Sequence, residues 1–412
     1  MTTPLVQLRP ASVEPVRLEV LAEEFGLAVE TSSAGRAAGP LPRVTGVSVA
    51  SDDVAPGEIF AALPGARVHG AAFAGDAVAA GAAAVLTDDA GASLLRRDSA
   101  LRPGAPDVPI LVCQDPRSTV GPLAARVYGH PARRLVVVGV TGTNGKTTTS
   151  YLLEAALRTT HRLTGVLGTV ELRIGETTVE SPRTTVEAPV LHRLLALALE
   201  RGVGAVSLEV SSHALALHRV DGLCVDVAGF TNLTRDHLDF HGDMAGYYRD
   251  KALLFTPEYA HRGVICVDDE WTQRLGRESG IRADRVRTYE GVAEADWVVS
   301  GVHIGLDGVA STFTLTGPDG ESVEASCPLP GRVNVSNAAL AIVMAYRAGV
   351  PLADAVRGVA GMTGVPGRME RVGERGQGRP LAIVDYAHTP DALELALEAV
   401  RPITPGRLIL VF

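Results

Sequence analysis

Leu135-Val136-Val137-Val138-Gly139-Val140-Thr141-Gly142-Thr143-Asn144-Gly145-Lys146-Thr147-Thr148-Thr149 is the stretch from which the rest of the chain can be read. Its first six residues are apolar and mostly β-branched, as expected of a strand buried on both faces of a parallel sheet. Downstream, Ser150-Tyr151-Leu152-Leu153-Glu154-Ala155-Ala156-Leu157-Arg158 has helical spacing. Strand, glycine loop and helix form a phosphate-binding arrangement. Glycines let backbone N–H groups close around phosphate oxygens, and the helix N-terminus adds its positive end. Lys146 would reach the β- and γ-phosphates, and the Thr147 hydroxyl could ligate Mg²⁺. The strict loop pattern has a glycine where Val140 stands, and a ligand-free glycine turn is the alternative.

Lysine is scarce. Lys146 and Lys251 are the only two, against thirty-six arginines. Asparagine is confined to Asn144, Asn232, Asn334 and Asn337. A bias of this kind filters out lysine wherever any cation will serve, so the survivors are candidates for amine chemistry that a guanidinium cannot do. Lys251 lies in the amphipathic stretch Tyr247-Tyr248-Arg249-Asp250-Lys251-Ala252-Leu253-Leu254-Phe255. A solvated helix face is the plain alternative, but neighbouring Arg249 shows what an ordinary surface cation is in this chain.

Two more strands end in chemistry. Ala205-Val206-Ser207-Leu208-Glu209-Val210 carries the carboxylate Glu209 at its end. The strand from Cys224 to Phe230 runs into Thr231-Asn232-Leu233-Thr234-Arg235-Asp236-His237-Leu238-Asp239-Phe240-His241-Gly242-Asp243, rich in oxygen and imidazole donors. Ligands of open parallel sheets bind outside the carboxyl ends of the strands. Thr147, Glu209 and His237 should therefore share a crevice, suited to a hard cation and phosphate oxygens. A loop-capping role is the alternative for His237.

These motifs, with Glu209-Val210-Ser211-Ser212-His213, His218-Arg219-Val220, Asn334-Val335-Ser336-Asn337, Gly367-Arg368-Met369-Glu370 and Val384-Asp385-Tyr386-Ala387-His388-Thr389-Pro390-Asp391-Ala392-Leu393, occur in an order that resembles the Mur ligases of bacterial peptidoglycan synthesis. The resemblance is strongest to those that add the third residue to UDP-N-acetylmuramoyl-L-alanyl-D-glutamate. It implies ATP bound by Gly142, Thr143, Asn144, Gly145, Lys146, Thr147 and Thr148, with Asn337, Arg368 and Asp385 also approaching the nucleotide. It implies Mg²⁺ held by Thr147, Glu209, His237 and Lys251, the lysine carrying a carbamate formed with CO₂. Lys146, Lys251, Glu209 and His237 would be the catalytic set. Val49, Ser51, Thr184, Thr185, Ser211 and Arg219 match positions that hold the UDP-linked substrate. Around Ser51 the match is imperfect, because Ala50-Ser51-Asp52 replaces the usual Asp-Ser-Arg. Helix N-capping is the alternative for Asn337. The implied reaction passes the γ-phosphoryl group to the substrate carboxylate, and an amino acid then attacks the acyl phosphate. A folylpolyglutamate-synthase-like ligase and a nucleotide binder without ligase activity are the other readings.

At 412 residues, with 46% hydrophobic content, two or three α/β domains are expected. The net charge of −9 without a basic run argues against nucleic acid. Cys113, Cys224, Cys266 and Cys327 show no C-x-x-C spacing and read as reduced thiols of a cytoplasmic chain. No signal-peptide pattern or spanning apolar run is visible, so no membrane partner is expected, and the chain is read as a monomer. The expected division is 1–133, a small α/β domain for the UDP-linked substrate; 134–372, a central parallel-sheet ATPase domain with a β-rich insertion near 295–330 and a helix after Asn334; and 373–412, the start of a Rossmann-like domain. That last part, with an expected apolar strand over 407–412, is too short for a domain. From it we expect a truncated third domain, weak ligation by these residues alone, and no means of reading whether diaminopimelate or lysine is added.

Overall fold

The computed structural model describes residues 5–31, 40–101, 108–291, 293–305, 310–373, 380–388, 390–402 and 404–412. The chain packs into two compact units. One comprises Met1–Leu135, Val186–Gly202 and His213–Leu223; the other comprises Val136–Thr185, Val203–Ser212 and Cys224–Phe412. The first unit is therefore discontinuous: it takes in the helix Ala188–Glu200, which lies in the middle of the sequence.

In the first unit, strands Gly46–Ser48, Glu58–Ala61, Ala84–Thr87 and Ile110–Val112 run parallel, and Ala28–Glu30 pairs antiparallel with the last. Buried Leu18, Val47, Ile59, Leu86, Leu111 and Leu123 form its core. The Ala-rich stretch 71–81 forms a 3₁₀ turn, Gly70–Phe73, followed by the helix Ala74–Ala79. Arg193, from the helix Ala188–Glu200, is buried and pairs with Asp53 Oδ2 at 2.9 Å. That pair ties the inserted helix to the turn Ser51–Asp53.

The second unit is built on an eleven-stranded sheet. Its parallel run is, in spatial order, Thr164–Leu167, Ala205–Glu209, Val136–Thr141, Val225–Phe230, Ala260–Cys266, Ala283–Arg287 and Trp297–His303. Val136–Thr141 comes first in the chain yet sits inside the run, with later strands on both sides. The order reverses there, and the carboxyl ends on either side of the reversal leave the crevice in which such sheets bind ligands. The β-rich insertion extends this same sheet: Ser311–Thr316 and Ser322–Cys327 continue it antiparallel beyond Trp297–His303.

Val137, Val138 and Val140 are fully buried, as a central strand requires. Val140 departs from the strict loop pattern because the strand continues through Thr141 and the loop opens only at Gly142. The helix Lys146–Leu157 packs its Leu152, Leu153, Ala156 and Leu157 into a core shared with the helix Arg332–Arg347, whose Val335 and Ala338–Ala345 are buried. That second helix starts two residues before Asn334, following Gly331 at φ +95°. Asn337 is thus a buried interior residue and not an N-cap.

Beyond 373, Ala382–Val384 pairs antiparallel with Glu370–Gly373, and Pro390–Val400 is helical. The strand expected over 407–412 is not formed. Ile409, Val411 and Phe412 are exposed, and a strand needs a neighbour to complete its ladder. Thr389 lies outside the described residues. Among the described residues, no helix is long and apolar enough to cross a membrane.

Candidate active site

The loop after Val136–Thr141 is shaped for backbone, not side chains. Gly142 and Gly145 have φ of +138° and +90°, a region open to glycine but costly for residues with a Cβ. A Cβ on Gly142 would sit 1.9 Å from Thr231 Oγ1, and one on Gly145 would sit 2.4 Å from Asn337 Oδ1. The loop is held from the next strand end. Asn144 N donates to Asn232 Oδ1 at 3.1 Å, and Asn232 Nδ2 donates back to Asn144 O at 3.0 Å. Thr231 Oγ1 also donates to Asn144 O at 2.6 Å, and Thr234 N to Thr143 Oγ1 at 3.0 Å. Asn232 is a buttress whose role is visible only once the loop is folded against the strand end. Its survival in an asparagine-poor chain was the available signal.

Both lysines turn onto this loop. Lys146 Nζ donates to Gly142 O at 2.9 Å and Thr143 O at 2.8 Å. Burial lowers its pKa; the Glu209 carboxylate opposes this, and Arg368 reinforces it. Lys251, on the helix Met244–Ala252, is 1% exposed, which rules out the solvated-face alternative. Its Nζ donates to Gly142 O at 2.8 Å and lies 4.6 Å from the centroid of the Tyr247 ring. Burial holds its pKa well below the ordinary lysine value, and the charge on Lys146 pushes the same way.

Glu209 is fully buried at its strand end. Oε2 accepts from Thr147 Oγ1 at 3.1 Å and Thr169 Oγ1 at 2.9 Å, and Oε1 accepts from Thr169 N at 2.8 Å. Candidate substrate residues gather beside it. Thr185 Oγ1 donates to Glu209 O at 2.8 Å and accepts from Ser211 N at 3.1 Å, while Thr184 Oγ1 accepts from Thr169 Oγ1 at 3.1 Å. Arg368 extends an N–H to Thr147 Oγ1 at 3.5 Å and stacks over Tyr386. The carboxylate of Asp385 accepts from Met369 N and Ala387 N, both at 2.8 Å, so it braces the Arg368 turn through the backbone.

Other candidates lie further out. His237 occupies the cap position of the short helix Leu238–His241 at φ +52°, makes no side-chain cap hydrogen bond, and is half exposed. Its ring meets Tyr247 edge-on, with Asp236 Oδ2 at 3.4 Å, and burial lowers its pKa. With Thr143, Asn144, Thr234, Arg235, Asp236 and Leu238 it helps line a cavity of about 240 Å³. Arg219, Val49 and Ser51 belong to the first unit, where Arg219 pairs with Glu187 at 2.9 Å.

Among the described residues, no group of three or more His, Cys, Asp or Glu side chains is placed to hold a metal. The donors present still suit a hard cation: a buried carboxylate, a hydroxyl on it, and a loop whose two glycines leave room for phosphate oxygens.

The Mur ligase middle domain family matches residues 140–345, the Mur ligase catalytic domain family residues 43–128, and the Mur ligase glutamate ligase domain family residues 367–412. The chain is 48% identical over 404 residues to UDP-N-acetylmuramoyl-L-alanyl-D-glutamate--2,6-diaminopimelate ligase of Streptomyces coelicolor, covering 97% of this chain and 75% of that one. The chain belongs to the Mur ligase family. The Streptomyces avermitilis Mur ligase of the same name is 47% identical, over 98% of this chain and 75% of its own length. A solved structure of a ligase with that name superposes with a TM-score of 0.72 at 28% identity, covering 94% of this chain and 74% of its own. Mur ligases are ATP- and Mg²⁺-dependent acid–amino-acid ligases.

Proposed function

We propose that this Mur ligase joins an amino acid to UDP-N-acetylmuramoyl-L-alanyl-D-glutamate at the expense of ATP, with diaminopimelate as the amino acid. The names of its relatives support the substrates. The observation that carries the site assignment is the convergence of Lys146 and Lys251 on Gly142 O, beside a Glu209 carboxylate bonded to Thr147.

In this reading the loop Gly142–Thr148 binds the phosphates through its N–H groups and the start of the helix. On binding, Lys146 leaves the loop carbonyls for the phosphoryl oxygens, where its charge offsets the charge developing during transfer. Thr147, Glu209, His237 and Lys251 would hold Mg²⁺, which supplies charge neutralisation and alignment of the phosphates. Arg368 and Asn337 approach the nucleotide, and Asp385 holds the turn that presents Arg368. Thr184, Thr185 and Ser211 position the carboxylate to be phosphorylated, with Arg219, Val49 and Ser51 on the UDP-linked part.

The buried amine of Lys251 is poised to be neutral. In that form it can add CO₂, forming an N–C bond and releasing a proton, to become an anionic oxygen donor. The sequence division into 1–133, 134–372 and 373–412, a cytoplasmic location where ATP and nucleotide-linked substrate meet, and a monomeric state belong to the same proposal.

The test is ADP release with purified protein. Release dependent on UDP-muramoyl-dipeptide, with diaminopimelate ahead of lysine, is expected. Release supported by folate in its place would favour the folylpolyglutamate-synthase-like reading, and no release despite binding of both ligands would favour the binder.

A further inference from the structure

Three polar side chains form a chain that the reaction as described does not use. Ser212 Oγ lies 3.0 Å from His241 Nε2, and His241 Nδ1 lies 2.5 Å from Asp250 Oδ2. The types and order are those of a hydrolase triad, but access decides against a nucleophile. Ser212 is 1% exposed and the His241 side chain is fully buried, so no substrate carbonyl could reach the hydroxyl.

What the chain does join is informative. Ser212 follows Glu209 by three residues, beyond the end of the strand Ala205–Glu209. Asp250 precedes Lys251 on the helix Met244–Ala252. The His241 ring also packs on Tyr247 at 5.0 Å, the ring over which Lys251 Nζ sits and whose hydroxyl lies 3.3 Å from Thr143 Oγ1. Ser212 and the His241 ring are buried while Asp250 is partly exposed; a hydrogen-bond chain anchored in this way holds its elements in one arrangement, and a displacement of about 1 Å can cost a reaction on the order of 100-fold.

We propose that Ser212, His241 and Asp250 are a positioning relay that fixes the Lys251 helix against the Glu209 strand end. The relay rests on the functional reading above for its purpose, but its geometry can be tested without turnover. Because the chain contains only two lysines, protein labelled with ¹³C at lysine Cε gives two side-chain resonances, assigned with Lys146→Ala.

In His241→Ala and Ser212→Ala, the Lys251 resonance should move and the Lys146 resonance should stay. In steady state, kcat should fall by about 10- to 100-fold in His241→Ala with KM for ATP little changed. The double variant should be no worse than His241→Ala alone, because both break one chain. His241→Gln, which keeps a polar reach, should recover part of the loss.

Lysine spectra of His241→Ala and Ser212→Ala that superpose on the wild type would overturn the relay, as would additive losses in the double variant. Should His241→Ala fail to fold, Ser212→Ala and Asp250→Asn carry the same readouts. A wild type that produces no ADP would instead defeat the functional reading, leaving the spectra to judge the relay alone.

Discussion

Lys146 and Lys251 donate to the same carbonyl oxygen, that of Gly142, at 2.9 and 2.8 Å. Two ammonium groups on one acceptor repel each other, and the pKa of the more deeply buried Lys251 is pushed well below the ordinary lysine value. Against its lost hydration, Lys251 has among the described residues this carbonyl, the Tyr247 ring and the charges of Asp236 and Asp250, and burial still outweighs them. The arrangement therefore separates two amines by role. In the proposed function Lys146 swings to a phosphate as a cation, while Lys251 serves as the nucleophilic amine.

Lys251→Met tests that separation. Methionine fills a similar volume without an amine, so the fold should be retained, while ADP formation should fall on the order of 100- to 1,000-fold. A small added carboxylate should partly restore Lys251→Ala. Lys251→Arg is a poorer probe, because a buried guanidinium over-packs the site at a cost of about 1–3 kcal/mol. Wild-type rates in Lys251→Met, measured by coupled ADP release, would remove Lys251 from the mechanism.

Gly145→Ala should weaken ATP binding at least tenfold by calorimetry, because its Cβ meets Asn337 Oδ1 and its φ is positive. Asn337 is itself assigned to the nucleotide, so Gly145→Ala is read alone against the wild type. Wild-type affinity in Gly145→Ala would mean that the left-handed backbone at Gly145 is immaterial.

Lys146→Ala should lose ATP turnover while keeping UDP-muramoyl-dipeptide binding, since the candidate uridine contacts Val49 and Ser51 lie in the first unit. Loss of both ligands with an intact melting transition would contradict that assignment.

Much of this was legible from strand ends. The sequence places Thr147, Glu209 and the Asn232–His237 loop at carboxyl ends of parallel strands, and lysine scarcity marks Lys251 before its burial is known. Other features depend on distant partners. Nothing near Ala188–Glu200 announces that Arg193 pairs with Asp53. His241 reads as one more loop histidine until the fold brings Ser212 and Asp250 to it. Residues 407–412 have the composition of a strand, but pairing is a property of two segments and no composition supplies the second.

Stability should depend on pH through His192, buried on the inserted helix with Nε2 3.0 Å from Asp221 O. Burial lowers its pKa to about 4, from 6.5. Between these values the unfolded chain binds the proton and the folded one does not, so stability falls as pH drops from 6.5 towards 4. The slope attributable to His192 should approach about 1.4 kcal/mol per pH unit within that window. Urea unfolding from pH 4.5 to 7 should show it, with a shallower dependence in His192→Gln; equal slopes would assign the proton elsewhere.

The most direct test of the central claim is to trap the acyl phosphate. With ATP, Mg²⁺ and UDP-muramoyl-dipeptide but no amino acid, borohydride reduces an acyl phosphate to an alcohol that mass spectrometry detects. The account predicts the reduced dipeptide only with ATP present, and its loss in Lys146→Ala and Lys251→Met. Absence of that product from wild-type protein shown by calorimetry to hold both ligands would contradict the account.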